Sequence, residues 1–147
     1  MTKDKSLVYL SIFKRKGGEG IKTKIINIDN ENQFKILFSH LSDQEKPLII
    51  LFENISNWTL LTNKKILINK QDKFSDIKIN EIIEVRPALE EELKDGISNK
   101  NDFTRLKIKL KNQDYIIIDL EKGKPFEGLY QVLHFIKNDN ISDNADL

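Results

Sequence analysis

The feature that most restricts this chain is a clean two-residue alternation that gives way to a helical one. From Phe103 to Leu110, the apolar Leu106, Ile108 and Leu110 alternate with Arg105, Lys107 and Lys109. After Lys111-Asn112-Gln113, Ile116, Ile118 and Leu120 share one side of Tyr115–Leu120. Residues two apart lie on one face of a strand, so 103–120 reads as a hairpin with one apolar face. Phe126, Leu129, Tyr130, Leu133 and Ile136 then recur at helical spacing, and Val132 widens the stripe. Pro125 suits the first turn of that helix. A hairpin with one greasy face needs a cover, and the helix that follows it can be that cover.

The middle of the chain also reads as strands. Leu48–Glu53 is a continuous apolar run ending at the turn residues Asn54-Ile55-Ser56-Asn57. Trp58–Thr62 and Lys65–Asn69 are strands broken at Asn63-Lys64, and Lys70–Lys73 is a polar connector. Within Phe74–Val85 the apolar parity shifts near Asn80, which predicts a bulge or a break, and Pro87 ends the run. Residues 88–95 read as a short helix stopped by Gly96. Ile occurs 22 times and Ala twice, a bias that favours strands because β-branched chains lose freedom in helices.

Before Leu48 the reading is a hairpin over 7–28, turning at the glycine cluster Gly17-Gly18-Glu19-Gly20, with a short helix at 6–13 as the alternative. A helix follows over 30–42, where Phe34, Leu37, Phe38 and Leu41 share a face and Asn30 and Gln33 have capping-box spacing. The last residues, 139–147, are polar and acidic and read as a disordered tail.

With 147 residues, the chain is long enough for one ordinary domain. Lys+Arg is 24 and Asp+Glu 23, a balance that argues against a dedicated nucleic-acid binder. With no cysteine there is no disulfide, thiolate zinc site or cysteine nucleophile, and two histidines cannot make an all-histidine zinc site. The longest apolar run, Leu48–Phe52, falls far short of the roughly 20 residues a membrane span needs, and no signal-peptide pattern opens the chain. The expected location is the cytoplasm.

From Leu48 to Asn138 the order is a strand meander, a hairpin and one amphipathic helix. Asn57-Trp58-Thr59-Leu60-Leu61-Thr62-Asn63-Lys64-Lys65-Ile66-Leu67-Ile68 is similar to the aromatic–x–leucine–threonine–asparagine–lysine–arginine–leucine stretch of the bacterial pleckstrin-homology-like (PH-like) family, with Lys65 where that family usually has arginine. Phe74-Ser75-Asp76-Ile77-Lys78-Ile79-Asn80-Glu81-Ile82-Ile83-Glu84-Val85 is similar to its next strand. The resemblance implies an α+β, mainly β fold: a strongly bent antiparallel sheet or barrel over 48–138, capped by the C-terminal helix, with 1–47 as an N-terminal extension. Lipid-binding members carry basic residues in the loop joining the first two strands. Here that loop is Glu53–Asn57, without Lys or Arg, which weakens a phosphoinositide reading.

Few residues invite chemistry. The glycine cluster lacks the spacing of a phosphate-binding loop, no serine sits in a nucleophile-elbow context, and His40 and His134 form no ligand pair. Glu90-Glu91-Glu92 reads as a solvated helix face, and Trp58 as core. Residues 1–24 hold seven Lys/Arg against two Asp/Glu. Lys14, Arg15, Lys16, Lys22 and Lys24 are therefore candidates for contact with an anionic surface such as lipid, the plainer account being a solvated strand face. The expectation is a non-catalytic module, needing no cofactor or metal, that binds another protein at a sheet edge. Alternatives are an immunity or antitoxin-like inhibitor and a membrane-surface adaptor using the basic hairpin.

Overall fold

The computed structural model describes residues 4–145, the last three by backbone alone. The fold is α+β and mainly β, with two antiparallel sheets and a long C-terminal helix. The first sheet has the order β1 (Thr23–Ile25), β2 (Pro47–Asn54), β3 (Asn57–Thr62), β4 (Lys65–Lys70), β5 (Lys73–Lys78). A turn of 3₁₀ helix at Ile79–Glu81 breaks the run near Asn80, where the parity shift placed it. The second sheet follows as β6 (Ile82–Pro87), β7 (Arg105–Leu110) and β8 (Tyr115–Asp119). The β4–β5 connector is tighter than the sequence suggests. Only Gln71 and Asp72 lie outside the strands, both with positive φ, as a two-residue hairpin loop requires.

Helix α4 (Lys124–Ala145) packs on β6 and seals the two sheets. Leu129, Val132, Leu133 and Ile136 are buried with Ile49, Leu61, Ile66, Leu106, Ile108 and Ile118. The helix runs on past Asn138, so the expected disordered tail is helical as far as Ala145, and residues 146 and 147 lie outside the described residues. What holds this extension is polar, which hydropathy does not register. Asn140 Nδ2 donates to the Ile79 and Ile82 carbonyls, both at 2.8 Å, and Lys5 pairs with Asp139 at 2.6 Å.

The N-terminal hairpin does not form. Residues 6–16 are instead helix α1 (Ser6–Lys16), the alternative reading extended by one turn. The run Leu7–Phe13 satisfies both periods, and a docking face decides between them. Ser6, Tyr9, Ile12 and Phe13 are buried at helical spacing, and Phe13 lies on the bare backbone of Gly128 in α4. A Cβ at Gly128 would stand 2.7 Å from Phe13 Cδ1, and one at Gly17 would strike the Lys124 carbonyl oxygen. The glycine of the expected hairpin tip is thus a close-approach residue between two helices. Strand β1 pairs with β2, not with residues 7–14.

The expected helix over 30–42 is one α-turn, α2 (Glu31–Phe34), continued as a 3₁₀ helix over Lys35–His40. Phe34 and Leu37 face inward as anticipated, burying Ile50, Trp58, Leu60 and Leu67 in a second apolar cluster on the outer face of the first sheet. The capping box is absent. Asn30 Oδ1 accepts instead from the Asn27 N–H, and Nδ2 donates to the Ile25 carbonyl. The short helix read from 88–95 is α3 (Leu89–Lys94), and Gly96 follows it with φ +81°.

Glu121, in the loop between β8 and α4, closes the corner between the sheets. Its carboxylate accepts from the Ile21 N–H (2.8 Å), the Lys22 N–H (3.0 Å) and the Thr23 hydroxyl (2.8 Å). Burial opposes the charge, but these donors outweigh it and hold the carboxyl below its ordinary value of 4.5. Because the folded-state value is the lower one, the stabilisation is present above pH 4.5 and is lost as the pH falls through the folded value. Glu121→Gln is expected to cost about 1 kcal/mol at pH 7, and the gap from wild type should close as urea titrations are repeated toward pH 3. A gap independent of pH would refute the clasp.

Candidate functional site

Among the described residues the space between the sheets and the last helix is almost filled. Between the sheets and α4 lies one cavity of about 10 Å³, lined by apolar side chains and Thr59, about the volume one water needs. Among the described residues no group of His, Asp and Glu is assembled to hold a metal ion, and no helix is long and apolar enough to cross a membrane.

The basic residues singled out from the sequence are not brought together at a hairpin tip. Lys14, Arg15 and Lys16 occupy the exposed last turn of α1, where cations complement the helix dipole. Lys22 precedes β1 and lies 3.5 Å from Glu53, and Lys24 is half-buried within β1. The acidic run on α3 is not a uniformly solvated face either. Glu92 is fully buried and accepts from the Thr104 N–H (3.2 Å) and Arg105 Nε (3.0 Å), while Arg105 Nη2 reaches Asp95 at 2.6 Å. It ties α3 to β7.

The open edge of the second sheet is the first surface feature of note. Among the described residues, strand β8 pairs only with β7. The bonds from Leu110 N–H to the Asp114 carbonyl and from Leu120 N–H to the Thr104 carbonyl fix the phase of this hairpin. Residues 114, 116, 118 and 120 therefore bond to β7, and Tyr115, Ile117 and Asp119 turn their N–H and C=O groups to the free edge. The side chains of Tyr115 and Ile117 are 46% and 37% exposed. Cations surround the Tyr115 ring: Lys107 Nζ at 5.2 Å, Lys109 Nζ at 5.5 Å and Arg86 Cζ at 5.9 Å from its centroid. The other edges differ. β6 lies under α4, β1 has three residues, and β5 exposes Lys73, Asp76 and Lys78, charges of the kind that deter pairing.

A groove of about 920 Å³ at the far end of the sheets is the second feature. It was invisible in the sequence because it draws on five separate segments: the start of α1, the loop before β2, the β3–β4 turn, the β5–β6 corner and the last turns of α4. Its only forerunner was Thr62-Asn63-Lys64-Lys65, the phrase that carried the family resemblance. The structure gives that phrase a reason. Thr62 Oγ1 accepts from the Lys64 and Lys65 N–H groups and donates to Glu45 at 2.6 Å, a carboxylate with no exposed side-chain surface. Asn63 Oδ1 accepts from the Lys46 N–H at 2.8 Å. Turn and loop are thereby locked together.

No protein-family model, no curated protein and no solved structure matches the chain.

Proposed function

We propose that this protein is a non-catalytic binding module of PH-like fold that engages another protein by strand addition at β8. The observation that carries the reading is the outward row of unpaired N–H and C=O groups at Tyr115, Ile117 and Asp119, beside exposed apolar side chains. An extended segment laid there would gain main-chain hydrogen bonds, and Lys109, which meets no acidic oxygen within 4.0 Å among the described residues, favours an acidic side chain beside Tyr115. The PH-like assignment is supported by the order of four strands, three strands and a terminal helix over 47–145, with β1 added at one edge.

The discriminating variant is Ile117→Pro. Proline removes an N–H that points away from β7, so the ladder stays intact while the free edge loses a donor. Capture of a partner from the native lysate is expected to fall about ten-fold with Ile117→Pro or Tyr115→Asp, at unchanged circular dichroism. The triple replacement of Lys14, Arg15 and Lys16 by alanine should leave capture intact. Capture that survives both edge variants would refute the reading, and loss in the triple variant alone would favour the membrane-adaptor alternative.

A further inference from the structure

We propose that the lysine-lined groove is a binding site for a ligand bearing two or more phosphate groups, independent of the β8 edge. Five lysines, Lys5, Lys46, Lys64, Lys65 and Lys78, face two aspartates across it. Two of the lysines are neutralised at close range, Lys46 by Asp4 and Lys5 by Asp139, each at 2.6 Å. Lys65 reaches acids only at 3.7 Å (Glu45) and 3.9 Å (Asp76). Lys64 and Lys78 meet no acidic oxygen within 4.0 Å among the described residues.

Lys65 and Lys78 are direct cross-strand partners in the β4–β5 ladder, and like charges in that position repel. The locked turn at 62–65 fixes the backbone of Lys64 and Lys65, and the β4–β5 ladder sets Lys78 beside them, so these ammonium groups are preorganised for an anion. The shape narrows the class of anion. About 920 Å³ is far more than one phosphate fills. Tyr9, the one aromatic lining residue, is buried, so no ring is offered for a base to stack upon. Recognition rests on charge and on lysine ammonium donors, which suits clustered phosphate oxygens.

Isothermal titration at constant low ionic strength tests this with inorganic tripolyphosphate as the probe and citrate as the carboxylate comparator. Tripolyphosphate is expected to bind, and to bind more tightly than citrate. The double variant Lys64→Ala/Lys78→Ala, at two exposed positions, should weaken it about ten-fold, while Lys14→Ala/Arg15→Ala stays within about two-fold. Sedimentation with vesicles of phosphatidylcholine and one-fifth cardiolipin, a lipid with two phosphates in one headgroup, separates the sources. Vesicle binding lost in the Lys64/Lys78 variant makes a lipid headgroup the phosphate donor, and tripolyphosphate binding without vesicle binding makes it a soluble molecule. No tripolyphosphate binding, citrate binding of equal strength, or equal loss in both variants would overturn the proposal. None of these outcomes bears on capture at β8, which Ile117→Pro tests separately.

Discussion

Phe13→Ala is expected to lower the free energy of unfolding by about 3–5 kcal/mol, the range for a fully buried phenylalanine. Phe13 has no exposed surface and stands against Gly128, the one place where α4 presents bare backbone to α1. Truncation would leave a void that neither backbone can fill, because the close approach at Gly17 already fixes how near the helices lie. Set against a total stability of about 5–15 kcal/mol, the loss is large. Urea unfolding followed by both fluorescence and circular dichroism measures it. If residues 4–47 were a loosely added extension, the variant would lose less than about 1 kcal/mol, or α1 would melt in a separate earlier transition.

Leu133→Ala should produce a comparable loss, about 2–5 kcal/mol, and a second, more specific signature. Leu133 is 2% exposed and borders the small cavity shared with Ile49, Leu61, Ile66, Ile118 and Leu129. Shortening it enlarges a space whose walls are nearly all hydrocarbon. Such a space stays dry and admits small apolar solutes. Benzene is therefore expected to raise the melting temperature of Leu133→Ala while leaving wild type unmoved. A variant of near-wild-type stability would mean that α4 is not the lid of the core. A destabilised variant indifferent to benzene would mean that the site collapses instead of remaining open.

How far the sequence reveals this molecule depends on which force sets each element. Where burial alone decides, as in β7, β8 and the stripe from Phe126 to Ile136, alternation and helical spacing give the elements nearly as the structure has them. Leu7–Phe13 fails that test because an unbroken apolar run obeys both periods. The glycines that invite α1 onto α4 are some 110 residues apart, and a local window cannot pair them. The end of α4 escapes notice for the opposite reason, since Asn140 and Asp139 hold it with hydrogen bonds and charge. Glu92 and Glu45 look like surface residues in composition, yet both are buried on partners distant in the chain. The edge at β8 could be anticipated from the final hairpin. The groove could not, because Lys5, Lys46, Lys64, Lys65 and Lys78 share no segment and no spacing.

Helix α4 closes the two sheets over an apolar interior. Native-state hydrogen exchange tests this directly. The amides of Val132, Leu133 and Ile136 are expected to exchange with the same opening free energy as those of Leu106 and Ile108 in β7, because helix and sheet can open only together. Exchange of the α4 amides at a markedly lower free energy, with β7 still protected, would contradict it.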